Sequence, residues 1–112
     1  ILQSNNNLDT LREEVTKLGY QLTDEITVND NNIWYVICLF KKNENPKIDD
    51  ITRKYGLLKK DKQDYYEYII NSKKDILKRL EKSHDLTLKE QLKTEIMELT
   101  KLLEKCRIIS TD

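Results

Sequence analysis

The segment 33–40, Ile-Trp-Tyr-Val-Ile-Cys-Leu-Phe, constrains the fold most, because all eight of its residues are apolar or aromatic. Successive side chains of a β-strand point to opposite faces, so a strand of this composition is apolar on both faces. Such a strand is covered on both sides and lies inside a sheet that is layered by helices. The segment therefore predicts an interior strand of an α/β sheet.

A second strand precedes this one and pairs with it as an antiparallel hairpin. The tetrapeptide Asn-Asp-Asn-Asn at 29–32 supplies the turn, because several of these residues tolerate a positive φ. Alternating apolar residues before the turn predict a strand with one buried face and one solvent-exposed face. The apolar residues are Tyr20, Leu22, Ile26 and Val28.

The first nineteen residues predict a strand and a helix. Residues 1–4 read as the end of a buried strand, and Leu8, Leu11, Val15 and Leu18 follow at helical spacing. Gly19 stands where the residue after a helix adopts a positive φ. A strand that begins at the first residue indicates that further strands precede it, so we interpret the chain as part of a larger sheet.

The C-terminal half predicts two helices. The first covers about residues 62–82, and a break at 83–85 separates it from a second that begins near Thr87. Two seamed helices joined by a short break predict an antiparallel two-helix coiled coil. The expected apolar stripes are Tyr65, Tyr66, Ile69, Ile70, Ile76, Leu77 and Leu80 on the first helix, and Leu92, Ile96, Leu99, Leu103 and Cys106 on the second.

The predicted fold class is therefore α/β: strand, helix and a terminal antiparallel strand hairpin, followed by the helical hairpin. Residues 1–45 form the C-terminal part of the α/β domain, 46–61 form a linker that contains the only proline, and 62–112 form the coiled coil.

Several kinds of site are not supported by this sequence. Cys38 and Cys106 lie far apart in the sequence, each within an apolar pattern, so their spacing suits neither a disulfide scaffold nor a zinc site. This favours a reduced, cytoplasmic protein and no metal. His84 lies in the helix–helix turn, where a catalytic base has no pocket. Gly19 and Gly56 are the only glycines, so no glycine-rich loop binds a nucleotide cofactor. No apolar run reaches the length of a membrane span.

Basic residues concentrate after residue 50. Residues 1–50 carry five Lys or Arg against nine Asp or Glu, whereas residues 51–112 carry fifteen against eleven. Basic side chains interleaved with tyrosines suit phosphate contacts and base stacking. The alternative is a solvated coiled-coil exterior with its tyrosines partly in the core. The candidate RNA contacts are Arg53, Lys54, Lys59, Lys60, Lys62, Lys73, Lys74, Lys78 and Arg79.

Gln3 and Asn5 are candidates for the edge of a substrate or cofactor pocket. They follow a buried strand and so lie at a carboxyl edge, where open α/β sheets place their ligands. Amides there could bind a purine edge, because they both donate and accept. The alternative is that they only cap the following helix.

Short motifs along most of the chain resemble the bacterial tRNA (adenine-22-N1)-methyltransferase family, the TrmK family. In chain order, Ile1-Leu2-Gln3-Ser4-Asn5 resembles a family strand that ends in Leu-Gln-Pro-Asn, and Leu11-Arg12-Glu13 and Gly19-Tyr20 resemble the family's Leu-Arg and Gly-Trp positions. Asp24-Glu25 and Trp34-Tyr35-Val36-Ile37 resemble the Asp-Glu and Tyr-Glu-Ile-Ile of the family's terminal hairpin. Tyr55-Gly56 and Leu58-Lys59 resemble its Phe-Gly-Pro and Leu-Lys. Ser4 and Leu57 replace family prolines, so both turns lack the fixed φ that proline supplies.

The resemblance implies the C-terminal part of a Rossmann-like methyltransferase, whose last strand is inserted between the two before it. It implies S-adenosylmethionine as cofactor, held by family elements that this sequence lacks, and tRNA as partner of the coiled coil. It also implies methylation of N1 of a tRNA adenine by the parent enzyme, with no catalytic residue identified and a segment that is inactive alone.

Two alternatives remain open. The helical hairpin could be a protein-interaction module, or the chain could be an inactive fragment without a function of its own. A homodimer through the open sheet edge or the coiled coil is also an expectation.

Overall fold

This computed structural model describes the backbone of residues 2–4 and 7–110 and the side chains of residues 7–109. The chain divides into two compact units, one up to Leu57 and one from Leu58 onward.

The first unit is a three-stranded sheet with two helices. Its elements are strand β1 (Leu2–Ser4), helix α1 (Leu8–Lys17), strands β2 (Tyr20–Asp30) and β3 (Ile33–Lys42), and helix α2 (Asp50–Tyr55). The strand order is β1-β3-β2, and β3 is antiparallel to both neighbours. The prediction that the last strand is inserted between the two before it is confirmed.

An irregularity in β2 decides which of its side chains are buried. Leu22 is opposite Phe40 and Asp24 is opposite Leu39, so Thr23 is an extra residue, a β-bulge. The bulge shifts the alternation by one residue and places Leu22 and Glu25 together on the buried face. Ile26 and Val28 are 43% and 40% exposed, so the prediction of one apolar face through Tyr20, Leu22, Ile26 and Val28 is wrong.

The two faces of β3 differ in the unit described. Val36 and Cys38 are buried on the face that carries Glu25, whereas Tyr35, Ile37 and Leu39 on the other face are half-buried. The residues described therefore bury the centre of one face and cover the other only in part, which falls short of the predicted cover on both faces.

A glycine follows each helix of the first unit. Gly19 and Gly56 have φ values of +96° and +84°, a conformation that L side chains rarely adopt. Asp49 is the N-cap of helix α2, and its carboxylate accepts from the backbone N–H of Thr52 at 2.7 Å. Helix α2 lies inside the segment 46–61 that the sequence predicts to be a linker.

The second unit is an antiparallel helical hairpin. A 3-10 turn (Lys60–Lys62) leads into helix α3 (Gln63–Arg79), and helix α4 (Leu86–Ser110) follows. The ion pair between Glu67 and Arg107 joins the start of α3 to the end of α4, so the helices run in opposite directions. The buried apolar residues are Tyr66, Ile70, Leu92, Leu99, Leu102, Leu103 and Cys106. The predicted core position Ile76 is wrong, because this side chain is exposed.

Candidate nucleic-acid interface

Two of the predicted RNA contacts lie at the end of α2. The guanidinium of Arg53 is 3.7 Å from a carboxylate oxygen of Asp9 and 3.6 Å from one of Asp50, and the side chain is only partly exposed. Lys54 is exposed. Lys54 is therefore the more accessible cation, whereas the charge of Arg53 is shared with two carboxylates.

A buried ion pair holds this end of α2 in place. The Nε and Nη2 atoms of Arg12 donate to the two carboxylate oxygens of Glu25 at 2.9 and 3.2 Å. The side chains of Arg12 and Glu25 are 1% and 0% exposed. The Nη1 atom of Arg12 also donates to the backbone oxygens of Arg53 and Lys54, at 3.1 and 3.4 Å. Helix ends leave such carbonyls without an intrahelical partner, so Arg12 caps α2 while its charge is balanced by Glu25.

This pair was not predicted from the sequence. The available signal was a charged residue on the apolar face of α1, since Arg12 follows Leu8 by four residues and precedes Val15 by three. Arg12 and Glu25 also both belong to the motifs on which the family resemblance rests.

Three more predicted contacts lie in the turn before α3. Lys60 is exposed, and Lys59 is half-buried with its backbone oxygen accepting from the Sγ of Cys106 at 3.1 Å. Burial raises the pKa of the Cys106 thiol, so the neutral thiol is favoured.

Lys62 requires a correction. It has no exposed surface, and its Nζ lies 5.7 Å from the centre of the Tyr66 ring. A phosphate cannot contact an ammonium that is buried in this way, whereas a cation over an aromatic ring is a stabilising interaction within the unit. Lys62 is a packing residue of the hairpin.

The remaining four predicted contacts lie on α3. Lys73 pairs with Glu95 of α4 at 3.0 Å, and both side chains are largely buried. Lys74, Lys78 and Arg79 are exposed. The tyrosines divide similarly, because Tyr66 belongs to the core and Tyr68 is exposed.

The predicted pocket edge falls largely outside the described residues. The backbone of Gln3 pairs with Ile37 in the sheet, and nothing is described of its side chain or of Asn5. In the described part of the chain, no group of three His, Cys, Asp or Glu side chains could hold a metal ion. No helix among the described residues is long and apolar enough to cross a membrane.

Solved structures share the fold of this chain. A proposed tRNA (m1A22) methyltransferase of Streptococcus pneumoniae aligns with a TM-score of 0.75 at 17% identity, over 91% of this chain and 47% of its own length. A protein of the NADB-Rossmann superfamily from Streptococcus agalactiae gives 0.74 at 18% identity, over 91% and 46%. The M. capricolum TrmK, bound to S-adenosyl-homocysteine, gives 0.73 at 17% identity, over 91% and 47%.

This chain therefore spans about half the length of these structures. No curated protein matches it significantly. The family model for tRNA (adenine(22)-N(1))-methyltransferases, TrmK, matches residues 1–107. The chain belongs to the TrmK family.

Proposed function

We propose that this chain is part of an S-adenosylmethionine-dependent tRNA (adenine-N1)-methyltransferase, to which it contributes a sheet edge and a tRNA-binding helical hairpin. The observation that carries the proposal is the family match over residues 1–107, which includes both compact units. The order β1-β3-β2 supports it further, because the inserted last strand is the feature that the family resemblance implies. The tRNA substrate favours a cytoplasmic protein.

The proposed division of labour follows the two units. Residues 1–45 belong to the methyltransferase sheet, and residues 62–112 form the coiled coil. Of the predicted linker 46–61, the residues up to Leu57 belong to the first unit together with helix α2. The burial of Leu92, Leu99, Leu103 and Cys106 supports a coiled-coil seam, since these positions alternate at spacings that keep one face of α4 toward α3. The homodimer stays a prediction.

The residues described contain no glycine-rich turn for the cofactor. Such a turn lies between a strand and the start of a helix, whereas Gly19 and Gly56 each follow a helix. S-adenosylmethionine would supply the methyl group, and the parent protein would bind it through other residues. Gln3 and Asn5 are proposed at the edge of that pocket because of their position after β1, and no catalytic residue is assigned.

The proposed role of the hairpin follows from the chemistry of the target atom. The N1 atom of adenine is held in a base pair within an intact duplex, so the enzyme must position a large RNA around an exposed base. Cations that contact phosphates supply such positioning without reading sequence. The cations proposed for this role are Arg53, Lys54, Lys59, Lys60, Lys73, Lys74, Lys78 and Arg79, of which Arg53 and Lys73 are already paired with carboxylates.

A salt titration of tRNA binding tests the proposal with the full chain. Fluorescence anisotropy with a labelled tRNA is measured at several salt concentrations, and we expect the logarithm of affinity to fall linearly with the logarithm of salt. The double variant Lys74→Ala/Arg79→Ala should bind more weakly and with a shallower slope. Lys105→Ala is the matched control, because Lys105 is an exposed lysine outside the proposed set.

The outcome distinguishes the proposal from a protein-interaction module. Absence of tRNA binding, together with self-association that salt does not weaken, would contradict the tRNA-binding role and favour apolar pairing of helices. Equal effects of the double variant and of Lys105→Ala would contradict the assignment of the basic residues.

A further inference from the structure

A cleft of about 510 Å³ lies between the two helices of the hairpin. It is lined by Leu77, Lys78, Glu81, Lys89 and Lys93. Three lysines and one glutamate therefore line it. Lys89 and Lys93 come from α4, which carries none of the RNA contacts predicted from the sequence.

Lys89 binds the turn that follows α3. Its Nζ donates to the backbone oxygen of Ser83 at 2.6 Å and to that of Glu81 at 3.2 Å. These two carbonyl oxygens belong to the turn between α3 and α4. Because the ammonium of Lys89 is bound to them, it is already occupied within the hairpin.

Lys78 and Lys93 are then the cations available to a ligand. Both are exposed, and they lie on α3 and α4 respectively, so one anion between them would contact both helices. The Nζ of Lys93 is 3.7 Å from a carboxylate oxygen of Glu90, and both side chains are more than half exposed. An exposed pair of this kind contributes little, so a phosphate can compete for Lys93.

We propose that this cleft binds the phosphate backbone of RNA and that Lys93 of α4 belongs to the interface together with Lys78. The inference rests on the proposed tRNA-binding function and deepens it. Lysines act as point charges on flexible stems, which suits a phosphate whose orientation is not fixed by a planar fork. The exposed rim admits a continuous backbone, and Leu77 gives the cleft an apolar part against which the sugars can lie.

The test compares lysines inside and outside the cleft in the full chain. Lys78→Ala and Lys93→Ala should each remove one phosphate contact and so make the slope of log affinity against log salt shallower by about 0.9. This corresponds to roughly fivefold weaker tRNA binding at about 0.15 M salt. The double variant should lose about thirtyfold, because two phosphate contacts are removed. Lys105→Ala, on the same helix but outside the cleft, should leave both quantities unchanged. Thermal melting by circular dichroism verifies that each variant is folded.

Each result separates the cleft from the broader function. If Lys78→Ala and Lys93→Ala behave like Lys105→Ala while the unaltered chain binds tRNA, the cleft proposal is overturned and the tRNA-binding role stands. If the unaltered chain does not bind tRNA, both fail. The third outcome is a site for a small anion. In that case inorganic phosphate displaces tRNA far better than chloride does at equal ionic strength, and only when Lys78 and Lys93 are both present. This result would overturn the assignment of the cleft to the RNA backbone.

Discussion

Glu25→Gln should be among the most destabilising single substitutions in the first unit. The change keeps the shape of the side chain and removes its charge, so the Arg12 guanidinium stays ionised with 1% of its side chain exposed. Removing one member of a buried ion pair costs about 3–5 kcal/mol, since the remaining charge has neither water nor a counter-ion. A unit of this size has a total stability of only about 3–9 kcal/mol. We therefore expect the variant to be marginally folded.

The only tryptophan makes the measurement specific for this unit. Trp34 lies in β3, so its fluorescence during urea unfolding reports on the sheet, whereas far-ultraviolet circular dichroism is dominated by the two long helices. With a urea dependence of about 1 kcal/mol per molar, the expected loss shifts the fluorescence midpoint by roughly 3 M or more. The signal from the helical hairpin should shift much less.

Glu13→Gln is the matched control. Glu13 pairs with Lys17 at 3.5 Å, but both side chains are well exposed, so the pair contributes about 0–1 kcal/mol. The double variant Arg12→Met/Glu25→Leu provides a second comparison, because it removes both charges and should cost less than the sum of the single changes. Equal midpoint shifts for Glu25→Gln and Glu13→Gln would refute the reasoning.

Three further changes test other parts of the structure. Hydrogen bonds from Thr52 lower the pKa of Asp49, so the stabilising effect of its carboxylate is present above the unfolded pKa of about 3.9 and is lost as pH falls through the lower folded value. When the urea midpoint of Trp34 fluorescence is plotted against pH, Asp49→Asn should therefore reduce the fall of the midpoint at acid pH. An unchanged fall contradicts this. Lys62→Met should leave tRNA affinity unchanged in the anisotropy assay, because the ammonium is buried, whereas Lys60→Ala should lower it; a loss in Lys62→Met comparable to that in Lys60→Ala would show that Lys62 contacts RNA. Deletion of Thr23 should cost only about 1 kcal/mol, the value of its lost hydrogen bond to the Leu39 oxygen, because Leu22 and Glu25 stay on one face. Deletion of Thr27 from the regular part of the strand should cost far more, because it shifts the alternation of the side chains. Similar urea midpoints for the two deletions would contradict the bulge.

Elements with a strong internal period were predictable from the sequence. The spacing of Leu92, Leu99 and Leu103 indicates a helix with one buried face, and the structure buries all three. The run 33–40 could only be a strand because of its length and its aromatic and β-branched residues, and it is the central strand of the sheet. In both cases the burial pattern follows from residues that are close in sequence.

The functional assignment of individual cations was less predictable, since it depends on contacts between distant residues. Lys62 and Lys60 look equivalent in the sequence, yet Lys62 is buried at the Tyr66 ring and Lys60 is exposed. Lys89 and Lys93 carried no distinguishing signal, because their position opposite Lys78 exists only when the two helices are paired.

The bulge at Thr23 shows why a local period can fail in a strand. Leu22 and Glu25 are three residues apart, so a regular strand places them on opposite faces, and the more apolar choice is to bury Ile26 and Val28. The structure instead buries Glu25, which is possible only because Arg12 is available on α1 to form two hydrogen bonds with its carboxylate. A buried carboxylate is unfavourable without such a partner. The bulge brings Leu22 and Glu25 to one face despite their spacing, and the guanidinium that pairs with Glu25 also caps α2.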